Sequence, residues 1–203
     1  MVRRRWYNSE QLDEMMQRGY ALKDEGRLKE CCNLWLKVWE HLKKRFTSDM
    51  SSIEDVDIGV FTGIQLYNWC QDLDMELWNA GLEDTSFFRK RLEFCREFCR
   101  MFPDTDSLVI VNMKRGEANS YFFLSEIEKG DEAFEKLIEE FPDSAWEYID
   151  WGDMYCSVMQ QDDKVPPDYD KAERIYRLGL DNATSDRDVI LERLQHLEEK
   201  RKI

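Results

Sequence analysis

Six cysteines, two histidines and 43 acids are the side chains in this 203-residue chain that could hold a metal or attack a substrate. Their spacing decides what they can do. Cys95 and Cys99 stand four apart, so a helix puts both on one face, and Cys31 and Cys32 are adjacent. A structural zinc site needs about four N or S ligands. Neither His41 nor His196 stands at metal-ligand spacing from either pair, so the cysteines read as small buried hydrophobes. A cysteine nucleophile needs a base close by, and two histidines, one in a highly charged last helix, supply little. The acids Glu139 and Glu140 point to different sides of a helix and read as a solvated face. Neither GxGxxG nor GxxxxGK[ST] occurs, so no phosphate-cradling loop is expected. No cofactor and no metal site is expected, and catalysis by Cys95 or Cys99 is the least favoured function.

The elements that must position any site are helical. Gly and Pro are sparse, at nine and four, while seven Trp, eight Tyr and eleven Phe supply large side chains for a core. Apolar residues recur at i, i+3 and i+4 almost throughout. Helices are expected at 9–24, with Ser9 as cap, and at about 28–44. Ser51-Ser52-Ile53-Glu54 reads as a capping box that opens one long helix to about Ala80, stopped by Gly81. Further helices are expected at 86–101, 105–124, 127–141, 144–159, 168–181 and 185–201. Residues 160–168, with Pro166-Pro167, are expected to form an exposed loop.

Charge narrows the partners. The net charge is −14, and it is uneven: residues 1–50 carry +3, whereas 104–164 carry five bases against sixteen acids. Such a surface repels phosphate backbones, so nucleic acid is not an expected partner; the tri-arginine at 3–5 reads as a solvated tail. The N-terminus lacks the apolar stretch of a secretory signal, and no run approaches the ~18 apolar residues of a membrane span. A cytoplasmic protein with reduced thiols and no membrane partner is the expectation.

The helices repeat. Ala118 and Tyr121 recur 34 residues later as Gly152 and Tyr155. Gly130, Phe134 and Pro142 follow in the first of these units, and Ala172, Tyr176 and Gly179 follow in the second after an insertion of eight residues. Gly19, Leu22, Gly26, Cys31 and Trp35 keep the same mutual spacings. The pair between them departs, with Arg91 where a small residue is expected; only Cys95, Phe98 and Pro103 hold the register. A small residue lets two helices approach, and a ring fills the adjoining gap. On this reading Tyr155 fills the gap beside Gly152.

This pattern resembles the tetratricopeptide repeat, a 34-residue helix–turn–helix unit. The C-terminal half is similar to bacterial proteins of this class that sometimes lie beside Cys-rich SEC-C motifs, although no such motif is present here. The resemblance implies an all-α, tetratricopeptide-like right-handed solenoid. It would have about four helix pairs, near 9–45, 52–102, 105–142 and 144–184, plus a C-terminal capping helix at 185–201, in one domain. It also implies a concave groove lined by the first helix of each pair: Asn112, Arg115, Asn119 and Phe122, then Trp146, Ile149, Asp153 and Cys156. Arg115 and Asn119 match residues that hold a peptide carboxylate in the family, but Asp150 and Asp153 would repel one.

The favoured function is protein–protein interaction, with a peptide or loop of basic or mixed charge held by Asn112, Arg115, Asn119, Phe122, Trp146 and Asp153. A homo-oligomer built on the helix of residues 52–80 is the alternative, and the oligomeric state is left open.

Overall fold

Side chains with a 3.6-residue apolar period bury one stripe and leave the rest in water, and that is how this chain folds. The computed structural model describes residues 7–57, 64–156 and 166–201; every described element is a helix. The tri-arginine and most of the 160–168 segment lie outside the described residues. Pro166, Pro167 and Asp168 are exposed. The chain divides into two compact units, Met1–Met113 and Lys114–Ile203.

In the first unit, α1 (Ser9–Asp24) buries Leu12, Met16, Gly19 and Leu22, and α2 (Leu28–Leu42) buries Cys31, Cys32, Trp35, Val38, Trp39 and Leu42. The cap of α1 is Asn8, not Ser9: Asn8 accepts from the Gln11 amide, and the Gln11 side chain accepts from the Asn8 amide. Gly26 takes the left-handed φ of 73° between the two helices, which a glycine adopts without strain. Gly19 explains the close crossing. A Cβ there would lie 1.8 Å from Trp35 Nε1, which donates to the Met16 carbonyl at 3.0 Å.

The single helix expected from residue 52 to about Ala80 is instead two. These are α3 (Ile53–Asp57) and α4 (Leu66–Glu83), and Ile64 and Gln65 are not helical. The capping box is shifted by one residue: Ser52 Oγ accepts from the Asp55 amide, and Asp55 Oδ2 accepts from the Ser52 amide. Gly81 does not stop α4. It faces the ring of Phe88 on α5 (Ser86–Met101), and the helix continues to Glu83. Arg91, out of place in the repeat, is accommodated by a partner. Its guanidinium donates to both oxygens of Asp74 at 2.7 and 2.9 Å and lies 4.9 Å from the Trp78 ring centre. Trp39, Phe94, Phe98 and Phe102 pack as one ring cluster, and Trp39 Nε1 donates to Glu97.

The division between units falls within α6 (Ser107–Phe123). The second unit continues with α7 (Ile127–Glu140), α8 (Ala145–Asp153), α9 (Tyr169–Asn182) and α10 (Arg187–Lys200). Helix α8 ends earlier than the 144–159 expectation, and Met154 to Cys156 form turns. Its interlocks again set glycine against ring: Gly130 against Phe122 and Gly152 against Tyr176, where added Cβ atoms would lie 2.5 and 2.2 Å away. The ring facing Gly152 is therefore Tyr176, not Tyr155. Tyr155 instead donates to Asp131, which also accepts from Trp151 Nε1 at 2.8 Å and Lys171 Nζ at 2.6 Å. One carboxylate thus ties α7, α8 and α9, while Trp151 stacks on Phe134 at 6.0 Å.

Candidate peptide-binding face

The face of interest in the second unit is where α6 meets α8. Arg115 and Asn119 are one turn apart on α6, so both side chains project from the same face. Helix α8 begins at a Ser144 cap whose hydroxyl accepts from the Trp146 amide at 3.4 Å, and Trp146, Glu147 and Asp150 lie in its first two turns. Arg115 Nε lies 3.1 Å from Asp150 Oδ2, and Arg115 Nη1 lies 3.9 Å from Glu147 Oε1. The Arg115 side chain is about a quarter exposed, so it is engaged within the fold rather than pointing into solvent.

The six residues of the expected groove part company here. Trp146 is 42 % exposed. Asn119 is buried on α6, and its Oδ1 has no hydrogen-bond partner among the described residues. Phe122 is not a groove ring: it is 1 % exposed, packed against Gly130 and 5.6 Å from the Tyr155 ring centre. Asp153 is also committed inward. It accepts from Tyr176 Oη at 2.5 Å and from Arg193 Nε at 3.2 Å, while burial and the Asp153 charge push the Tyr176 phenol well up. Ile149 and Cys156 are buried. Asn112 is half-buried and lies on the Met1–Met113 side of the division.

Sequence reasoning missed Glu147. It is 1 % exposed, and its Oε2 has no hydrogen-bond partner among the described residues. Only its position next to Trp146 hints at a role; nothing in its spacing marks a glutamate as buried. Two clefts were missed as well. One, in the first unit, is polar and lined by Gln17, Tyr20, Gln65, Asn68 and Asp72 between α1 and α4. The other, in the second unit, is lined by Asp153, Cys156, Tyr176, Arg193 and His196.

Of the cysteines, Cys31, Cys32, Cys70, Cys95 and Cys156 are buried and Cys99 is half-buried. Burial pushes Cys31 and Cys32 up to about 12 and Cys95 well above its ordinary value, with the Asp74 charge adding to the shift at Cys95. A thiol that holds its proton is a poor nucleophile. Among the described residues, no three His, Cys, Asp or Glu side chains group to hold a metal ion, and no helix is long and apolar enough to cross a membrane. Glu139 and Glu140 are exposed, as a solvated face requires. Comparison with protein-family models, with curated proteins and with solved structures finds no match for this chain.

Proposed function

We propose that the chain is a protein-interaction module. In this reading it is a tetratricopeptide-like right-handed solenoid of about four helix pairs with a capping helix, and it binds a peptide or protein loop of basic or mixed charge. The repeat reading is supported by one packing device that recurs in both units: Gly19 against Trp35, Gly130 against Phe122 and Gly152 against Tyr176. Six free cysteines suit a reducing, cytoplasmic setting.

The observation that carries the binding reading is the α6–α8 face. An exposed Trp146 adjoins a cluster in which two acids, Glu147 and Asp150, stand against one base, Arg115. Trp is among the side chains most enriched at binding hot spots, and an acidic surface speeds the approach of basic partners. The test is a selection of random displayed octapeptides on the immobilised chain, with affinities then read by fluorescence anisotropy. Enriched peptides should be basic or mixed, bind more weakly as salt rises, and lose about tenfold or more with Trp146→Ala. Acidic peptides that ignore Trp146→Ala would contradict the reading.

A second reading, self-association, rests on Met75 and Leu82, which are exposed two turns apart on α4. Light scattering decides it: a monomer at working concentration removes it.

A further inference from the structure

The second unit holds a cleft of about 550 Å³ whose lining comes from three helices. Asp153 ends α8 and Cys156 lies just beyond it, Tyr176 is on α9, and Arg193, His196 and Leu197 are on α10. The volume is that of a small-molecule site, about 300–1,000 Å³. Its polar groups are joined to one another. Tyr176 Oη donates to Asp153 Oδ1 at 2.5 Å, and Arg193 Nε donates to Asp153 Oδ2 at 3.2 Å. Tyr176 and Asp153 are 1 % and 7 % exposed, so the carboxylate that holds Arg193 is itself held by a buried hydroxyl. The bond to Asp153 is the one hydrogen bond Arg193 makes among the described residues, and its side chain is 33 % exposed. Both terminal guanidinium nitrogens of Arg193 therefore stay unpaired and open to solvent at the cleft wall.

We propose that this cleft binds a small carboxylic acid with an apolar body. The two terminal nitrogens of Arg193 donate to the two carboxylate oxygens, and the body lies on Tyr176, Cys156 and Leu197. A guanidinium edge is a planar fork that matches a carboxylate, and the paired bonds are charge-assisted. Asp153 makes the fork ready, because a side chain already held through Nε loses less freedom on binding than a loose one. Charge selects the anion. Along the lining, Asp153 and Glu199 balance Arg193 and Lys200, with His196 beside them. A formal charge near zero suits a monoanion held by one fork, and it disfavours a dianion in a chain that carries −14. Arg193 is thus the binding residue, and Asp153 and Tyr176 are positioning residues. The proposal is independent of the Trp146 face, with which it shares no residue, and it gives the inward turn of Asp153 a use.

The probes are phenylacetate, its neutral isostere phenylacetamide, acetate and phenyl phosphate, titrated into the 15N-labelled full chain at constant ionic strength. Phenylacetate should shift the Arg193 Nε–H and the Cys156 and Leu197 backbone amides saturably. It should bind about tenfold or more tighter than phenylacetamide, which lacks the charge, and tighter than acetate, which lacks the body. Phenyl phosphate should bind no tighter than phenylacetate. Arg193→Lys keeps the charge but loses the fork, and should weaken phenylacetate by about tenfold while leaving phenylacetamide unchanged. Tyr176→Phe keeps the ring and removes the hydroxyl; it should move the Arg193 Nε–H resonance of the free protein and weaken phenylacetate by about threefold. A flat titration into the millimolar range overturns the proposal, as does equal binding of acid and amide, or indifference to Arg193→Lys. An Arg193 Nε–H resonance unmoved by Tyr176→Phe overturns the positioning role. If either variant does not fold, the contrast of acid with amide in the parent decides. An N-acetylated tripeptide ending in phenylalanine is the last arm. If it shifts these resonances through its free carboxylate while phenylacetate does not, the occupant is a chain terminus and the small-acid proposal fails.

Discussion

Two arginines, one in each unit, meet acids in contrasting ways. Arg91 on α5 is buried, its side chain 8 % exposed, and it grips both oxygens of Asp74 while lying over Trp78. Arg115 on α6 is 27 % exposed and is shared between Asp150 and a distant Glu147. The first pair leaves its acid satisfied, so it reads as structural: a buried charge is tolerated only when it is paired and hydrogen-bonded. The second is looser: Glu147 is buried, yet Arg115 lies 3.9 Å from its Oε1, and its Oε2 has no hydrogen-bond partner among the described residues.

Four substitutions test the contrast, the largest expected effect first. Arg91→Met should cost about 3–5 kcal/mol, because it strands Asp74 beside the buried Cys95. Urea denaturation checks this, and a cost below about 1 kcal/mol would place Arg91 with ordinary surface pairs. Gly152→Leu should cost about 1–3 kcal/mol or more, since even a Cβ there would meet Tyr176 at 2.2 Å. An unchanged melting temperature would show that α8 and α9 do not interlock at this point. Arg115→Met should cost about 1 kcal/mol or less, as part-exposed pairs do. A loss equal to that of Arg91→Met would erase the distinction between the two arginines. Trp146→Ala should shift stability by no more than about 0.5 kcal/mol, because its exposed ring does little for the fold.

Much of this was legible in the sequence, for identifiable reasons. The spans of α1, α2, α5, α7, α9 and α10 follow from helical periodicity and from breakers such as Gly26, Pro103 and Pro142, which act locally. The small–large register found Gly19, Gly130 and Gly152 because a crossing of helices excludes a side chain whatever surrounds it. What failed depended on neighbours far along the chain. The partner of Gly152 is Tyr176, and the eight-residue insertion hid that spacing. Phe122 occupies a groove position by register but is buried by Gly130 and Tyr155, which register alone does not report. The long helix over 52–80 follows from its opening capping signal alone, although Gly59 and Gly63 stand in the sequence between α3 and α4. Arg91 departs from the repeat register because its partner, Asp74, lies seventeen residues earlier. Glu147 could not be singled out at all, because nothing in its spacing along the chain marks it as the 1 % exposed residue it is.

The central claim, that the α6–α8 face binds a protein ligand, is tested most directly by following the Trp146 indole N–H in the 15N-labelled chain during titration with a selected basic peptide. The account predicts that this resonance shifts and saturates together with the Asn119 side-chain amide, while the buried indoles of Trp39 and Trp69 hold still. A shift that spares Trp146 and appears instead at Gln17, Gln65 and Asn68 would contradict it and move the binding face to the cleft between α1 and α4.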